Sequence, residues 1–104
     1  MNLNIDIKDE GKKSIVQLSG EIDVYTAPAL RDKLIPLTEK AGHKIKIDLE
    51  NISYLDSTGL GVFINAYKSS KQHNSIIEII HVKDRVLRLF QVTGLHEIMN
   101  VVPK

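Results

Sequence analysis

No cysteine occurs among the 104 residues, which excludes disulfides, thiolate nucleophiles and cysteine-ligated zinc or iron–sulfur sites together. An excess of one charge is also missing. Lysine plus arginine number 14 against 13 acidic residues, a net charge of +1, so no basic field exists to gather nucleic-acid phosphates. Long apolar runs are absent as well, the longest being short stretches around Val62-Phe63-Ile64 and Ile79-Ile80, whereas a membrane helix needs ~20 residues. Met1-Asn2-Leu3-Asn4-Ile5-Asp6 alternates and carries acid where a secretory leader would be basic and then uniformly apolar. The expectation is a soluble, cytoplasmic protein that binds neither nucleic acid nor membrane.

What is present can build one core. Apolar residues make up 42% and charged residues 26%, enough burial to offset the ordering entropy of a chain of one-domain size. No repeat, linker or low-complexity segment divides residues 1–104, which read as a single domain. Leu3, Ile5 and Ile7 alternate with polar residues as in a half-buried strand. Asp9-Glu10-Gly11-Lys12 reads as a turn into a second strand, Ser14 to Ser19, ended by Gly20. Those two strands would form an antiparallel hairpin. Glu21-Ile22-Asp23-Val24-Tyr25 reads as an exposed connection.

Thr26 and Pro28 mark a helix start, and Ala27, Leu30, Leu34, Leu37 and Ala41 continue it at spacings of three and four to Gly42. Pro36 inside that pattern predicts a kink or break. Ile45, Ile47 and Leu49 alternate as a third strand, followed by a loop from Glu50 to Leu55 and a second helix. Leu60, Phe63, Ile64 and Tyr67 form that helix's apolar face, with Asn65, Lys68 and Ser69 outward. Ile76 to Ile80 reads as a buried strand, Lys83 to Thr93 as a helix stopped by Gly94, and Leu95, Ile98 and Met99 as one more turn. Such alternation predicts an α/β fold: a small mixed sheet of four to five strands packed with about four helices.

The chemistry concentrates in Tyr54-Leu55-Asp56-Ser57-Thr58-Gly59-Leu60-Gly61. A loop becomes a helix there, and its first N–H groups lack helical partners. Capping by Asp56 or Ser57 is one sufficient reason for those residue types. Gly59 and Gly61 need another, because each costs up to ~1 kcal/mol in a helix relative to alanine. Either the helix packs tightly on the sheet or a partner's backbone comes close. Phosphate-loop chemistry is excluded: Ile64 stands where a dinucleotide fingerprint needs its third glycine, and no Gly-Lys-Ser/Thr is present.

Asp56-Ser57-Thr58-Gly59-Leu60-Gly61, with Gly20-Glu21-Ile22-Asp23-Val24-Tyr25 and Ala27-Pro28-Ala29-Leu30-Arg31, resembles the STAS family of anti-sigma factor antagonists, over Met1 to about Met99. Within the family it is more similar to the general-stress, sigma-B branch than to the sporulation branch. The resemblance implies a single STAS (SpoIIAA-like) domain and a partner switch. The unmodified antagonist would bind an anti-sigma factor that is also a serine kinase, thereby freeing the sigma factor. Phosphorylation would end that binding, and a serine phosphatase would restore it. The implied phosphoacceptor is Ser57, with Thr58 as competitor, and the implied partner surface comprises Glu21, Asp23, Asp56, Ser57, Thr58, Gly59, Leu60 and Gly61.

Solvated loop carboxylates are the plainer reading of Glu21 and Asp23. An enzyme using Asp23 or Asp56 with Ser57 lacks partners, because His43, His73, His81 and His96 are scattered with no metal-ligand or nucleophile–base spacing. No catalytic residue, metal or cofactor is therefore expected. A scaffold or regulatory module of the same fold is the alternative. The chain starts and stops with the domain, which favours a free antagonist, monomeric when unbound. Lys83, Arg85 and Arg88 read as a solvated helix face, with a basic recognition patch as the competing reading.

Overall fold

The computed structural model describes residues 2–104. The order is β1 (Leu3–Asp9), β2 (Lys13–Ile22), α1 (Ala27–Thr38), β3 (Lys44–Leu55), α2 (Ser57–His73), β4 (Ile76–Val82), α3 (Asp84–Val92), α4 (Leu95–Ile98) and β5 (Asn100–Pro103). The strands form one sheet in the order β1-β2-β3-β4-β5. β1 and β2 pair antiparallel, and every other neighbouring pair is parallel. Short turns permit only antiparallel neighbours, whereas α1, α2 and the α3–α4 pair supply the long returns that parallel strands need.

Val16, Leu18, Ile45, Ile47, Leu49 and Ile79 are buried with Leu30, Leu34, Phe63 and Phe90 from the helices. Phe63 and Phe90 meet at 6.1 Å between ring centroids, which ties α2 to α3 within ordinary aromatic packing range. α1 and α2 join through the Thr38 and Ser69 hydroxyls, 2.6 Å apart. Ser69 therefore faces its neighbour and is not on the outward face expected from its helix position. Among the described residues, no helix is long and apolar enough to cross a membrane.

Several element boundaries differ from the sequence pattern. β2 does not end at Gly20 but continues to Ile22. Gly20 has φ +115°, and a Cβ there would collide with the Asn2 carbonyl oxygen, so glycine here admits a close backbone approach rather than a turn. Residues 50–55 are strand, not loop. Gln17 pairs with Asp48 but Ser19 with Asn51, and Gly20 with Ile52 but Glu21 with Tyr54. β3 thus carries an extra residue relative to β2 at each of these steps. Each bulge shifts the side-chain phase, and the buried positions run Leu49, Ile52, Leu55 instead of alternating.

α1 stops at Thr38, two residues beyond Pro36, and not at Gly42; Ala41 is exposed outside it. Pro36 lies inside the last turn, where its missing N–H forgoes a bond to the carbonyl four residues back, and the helix closes with the Glu39 N–H on the Pro36 carbonyl at 3.3 Å. Ile76 is exposed although Ile77 and Ile79 beside it are buried. β5, for which residues 100–103 give no strand pattern, completes the sheet beside β4.

Candidate functional site

The bulges in β3 bring the two motifs of the sequence to one edge of the sheet. Glu21 pairs with Tyr54 and Ile22 with Leu55, so β2 and β3 end side by side. The turn Asp23–Thr26 and the start of α2 emerge there together. The Asp56 N–H donates to the Ile22 carbonyl at 3.3 Å, fastening the second motif to the first.

Asp56 is the N-cap of α2, with extended backbone (φ −109°, ψ −174°), and its Oδ1 accepts from the Gly59 N–H at 3.0 Å. Its carbonyl accepts from the Leu60 N–H at 2.9 Å. The cap satisfies an otherwise unpaired donor and places Ser57 at the first helical position, where both Ser57 and Thr58 are exposed. At that position the helix dipole favours an anion.

The glycines divide between the two explanations that the sequence allows. A Cβ at Gly59 would lie 2.5 Å from Leu55 Cδ1, 2.7 Å from Ile22 Cγ2 and 3.0 Å from the Ile22 carbonyl oxygen. Gly59 is therefore required by packing on the sheet. At Gly61 a Cβ would meet nothing within 4 Å, so no internal packing demands glycine there. Leu60 is buried and joins the core, while Gly61 is half-exposed.

The connection from Glu21 to Tyr25 is not wholly exposed. Ile22 is fully buried and Asp23 is only 4% exposed, whereas Val24 and Tyr25 project at 57% and 78%. A local network fixes this split. Asp23 Oδ1 accepts from the Tyr25 N–H at 2.9 Å and the Thr26 N–H at 3.0 Å. Thr26 Oγ1 accepts from the Asp23 N–H at 2.9 Å and donates to the Glu21 carbonyl at 2.9 Å. Thr26 thus closes the turn instead of capping α1 with its side chain. Asp23 Oδ2 is buried and, among the described residues, has no hydrogen-bond partner.

Exposed Tyr25 and Tyr54 flank the edge. Beside them an apolar groove runs between the end of β3 and α3, lined by Tyr54, Leu55, Val86 and Leu89 with Arg85 and Arg88. Three histidines have ordinary structural partners: His43 Nε2 with Ser14 Oγ, His73 with the Ser69 carbonyl and His96 with the Phe90 carbonyl. His81 instead faces Asp48 and Glu50. That association joins different strands and leaves no spacing signal in the sequence.

Residues 4–104 match the STAS domain family. An anti-sigma-B factor antagonist of Bacillus subtilis (strain 168) is 43% identical over 104 residues, covering 100% of this chain and 94% of the relative. A protein of the same description from Staphylococcus aureus (strain NCTC 8325 / PS 47) is 44% identical over 101 residues, 97% of this chain and 94% of that one. Among solved structures, an anti-sigma factor antagonist from Mycobacterium paratuberculosis superposes with a TM-score of 0.82 at 26% identity, covering 99% of this chain and 87% of that one. The anti-sigma factor antagonist SpoIIAA in its unphosphorylated form matches in fold, with a TM-score of 0.76 at 14% identity, over 97% of this chain and 88% of that one. With its two motifs brought to one edge of a five-stranded mixed sheet, this chain belongs to the STAS domain family.

Proposed function

We propose that this protein is an anti-sigma factor antagonist of the sigma-B type, a binding switch without catalytic activity of its own. Its unmodified form binds an anti-sigma factor that is also a serine kinase and so releases the sigma factor. Phosphorylation of Ser57 ends the binding, and a serine phosphatase reverses it. The observation that carries this reading is the placement of Ser57: exposed at the first residue of α2, beside the turn built by Asp23 and Thr26. Whole-length identity to antagonists of that description supports the partner class.

The geometry suits a switch that acts on binding and spares the fold. A phosphate adds about 1.5 to 2 negative charges and three acceptor oxygens. At a helix N-terminus an anion gains typically about 0.3–1 kcal/mol. The Asp56 carboxylate next to it opposes that gain, so the net effect on stability is small. At the interface the phosphate must be desolvated against a surface shaped for a hydroxyl. A loss of ~2.7 kcal/mol there already lowers affinity a hundredfold.

The partner surface comprises the exposed Ser57 and Thr58, half-exposed Gly61, and the Glu21–Tyr25 turn. Gly59, Leu60 and Asp56 shape that surface from beneath. Asp23 Oδ2 is buried within this turn, so a cationic or N–H donor from the partner reaches it only if the turn opens on binding. The test is to incubate the protein with its cognate anti-sigma kinase and ATP, map the phosphate by mass spectrometry, and measure binding before and after. Phosphate on Ser57 with binding lost supports the switch. Phosphate elsewhere, or unchanged binding by the Ser57-phosphorylated form, overturns it.

A further inference from the structure

Away from the Ser57 edge, the parallel ladder between β3 and β4 ends at the Asp48–Ile80 pair. Both strands are irregular just past this point. β3 carries a bulge between Asp48 and Asn51, and β4 shifts register against β5 between Ile79 and Val82. Three potential ligands occupy the resulting fork. His81 has φ +56°, and its Nδ1 lies 3.1 Å from Asp48 Oδ2 and 3.8 Å from Glu50 Oε1. One donor atom from each of the three residues falls within 4.8 Å of the other two.

We propose that Asp48, Glu50 and His81 form a binding site for a divalent transition-metal ion of the zinc class. Zinc holds imidazole nitrogen and carboxylate oxygen at about 2.0–2.2 Å, so two donors at a tetrahedral angle lie about 3.4 Å apart. The observed separations of 3.1 and 3.8 Å bracket that spacing. Two of the three donor pairs are thus spaced for zinc, and the Asp48–Glu50 pair, within 4.8 Å, would close by side-chain rotation of the partly exposed Glu50. An imidazole with two carboxylates favours zinc, nickel or cobalt over magnesium and calcium, which prefer all-oxygen sets.

The carboxylate of Asp48 is oriented for the role. Its Oδ1 accepts from the Glu50 N–H at 2.9 Å, which directs Oδ2 toward His81, as outer hydrogen bonds orient metal ligands elsewhere. Asp48 is buried while Glu50 and His81 remain partly open, giving an ion a path in from solvent. Lys104 Nζ sits 3.0 Å from Glu50 Oε2 and competes with the ion for that carboxylate. The site spans β3 and β4 and draws on none of the residues assigned to the Ser57 switch.

The experiment titrates the full chain with zinc chloride at pH 7.5 while the imidazole resonances are followed by NMR. Expected are saturable shifts of His81 at one equivalent, absent with magnesium chloride. Glu50→Gln, at a partly exposed position, should weaken zinc binding at least tenfold without unfolding the protein, as should Asp48→Asn. Lys104→Ala should tighten it. No saturable His81 shift at millimolar zinc, earlier saturation of His43, His73 or His96, or equal affinity in Glu50→Gln would overturn the proposal.

Discussion

Gly59 stands directly over Ile22: a Cβ on the helix residue would come within 3.0 Å of the strand residue's carbonyl oxygen. The first turn of α2 is thereby seated on the last residue of β2. Because a backbone carbonyl and the buried Leu55 side chain both oppose the added methyl, neither can yield cheaply. Gly59→Ala should destabilise by about 1–3 kcal/mol despite alanine's better helix propensity. At this chain length that lowers the thermal midpoint by about 4–8 °C per kcal/mol. Thermal melts followed by circular dichroism check it; an unchanged or raised midpoint would show that α2 lifts freely.

The opposite sign is expected two positions on. Gly61 lies in α2 with open space where its side chain would be, so alanine there should add about 0.5–1 kcal/mol of stability through helix propensity. If the glycine serves a close-approaching partner backbone, the same substitution should weaken anti-sigma factor binding at least tenfold. Paired melting and calorimetric binding measurements on Gly61→Ala separate the effects. Greater stability with full affinity would remove Gly61 from the interface.

How much of this was legible in the sequence follows from what each residue has to satisfy. Leu3, Ile5 and Ile7 announced their strand because an edge strand with one covered face must alternate, and Leu60, Phe63 and Ile64 announced a helix for the same kind of reason. The run from Glu50 to Leu55 did not, because two bulges break the period on which a strand reading depends. Asp23 reads as part of an exposed connection, since sequence distance cannot show that Thr26 folds back and closes the turn over it. The two roles of the paired glycines are likewise not separable in the sequence, because the Ile22 and Leu55 that lie beneath Gly59 come from different strands. His81 meets Asp48 and Glu50 only through the pairing of β3 with β4, which sequence spacing does not encode.

Asp23 holds the turn with one oxygen and leaves the other buried without a partner among the described residues. Asn keeps the Oδ1 acceptor and removes the charge, so Asp23→Asn should preserve the turn and change stability by less than about 1 kcal/mol. If the turn opens on binding so that Oδ2 receives a cationic donor across the interface, removing the charge from that pair should cost about 2–5 kcal/mol of binding. Asp23→Ala would remove the Oδ1 bonds as well and lower the melting midpoint. Full affinity in a folded Asp23→Asn variant would confine this carboxylate to shaping the turn.

Asp56 faces both ways in the switch, because it caps α2 through Oδ1 yet carries a negative charge next to Ser57. Asp56→Ala should lose the cap, about 1 kcal/mol, whereas Asp56→Asn should retain most of it. The two also differ once Ser57 carries phosphate. In the unsubstituted protein the dipole's attraction for the phosphate is offset by repulsion from Asp56, so phosphorylation should hardly move the melting midpoint. In Asp56→Asn that repulsion is gone, and phosphorylation should raise the midpoint by a few degrees, less at high salt. Comparing melts of the phosphorylated and unmodified forms of both proteins at low and high ionic strength checks this. Equal shifts in the two proteins would mean that the charge of Asp56 plays no part in how the site accommodates phosphate.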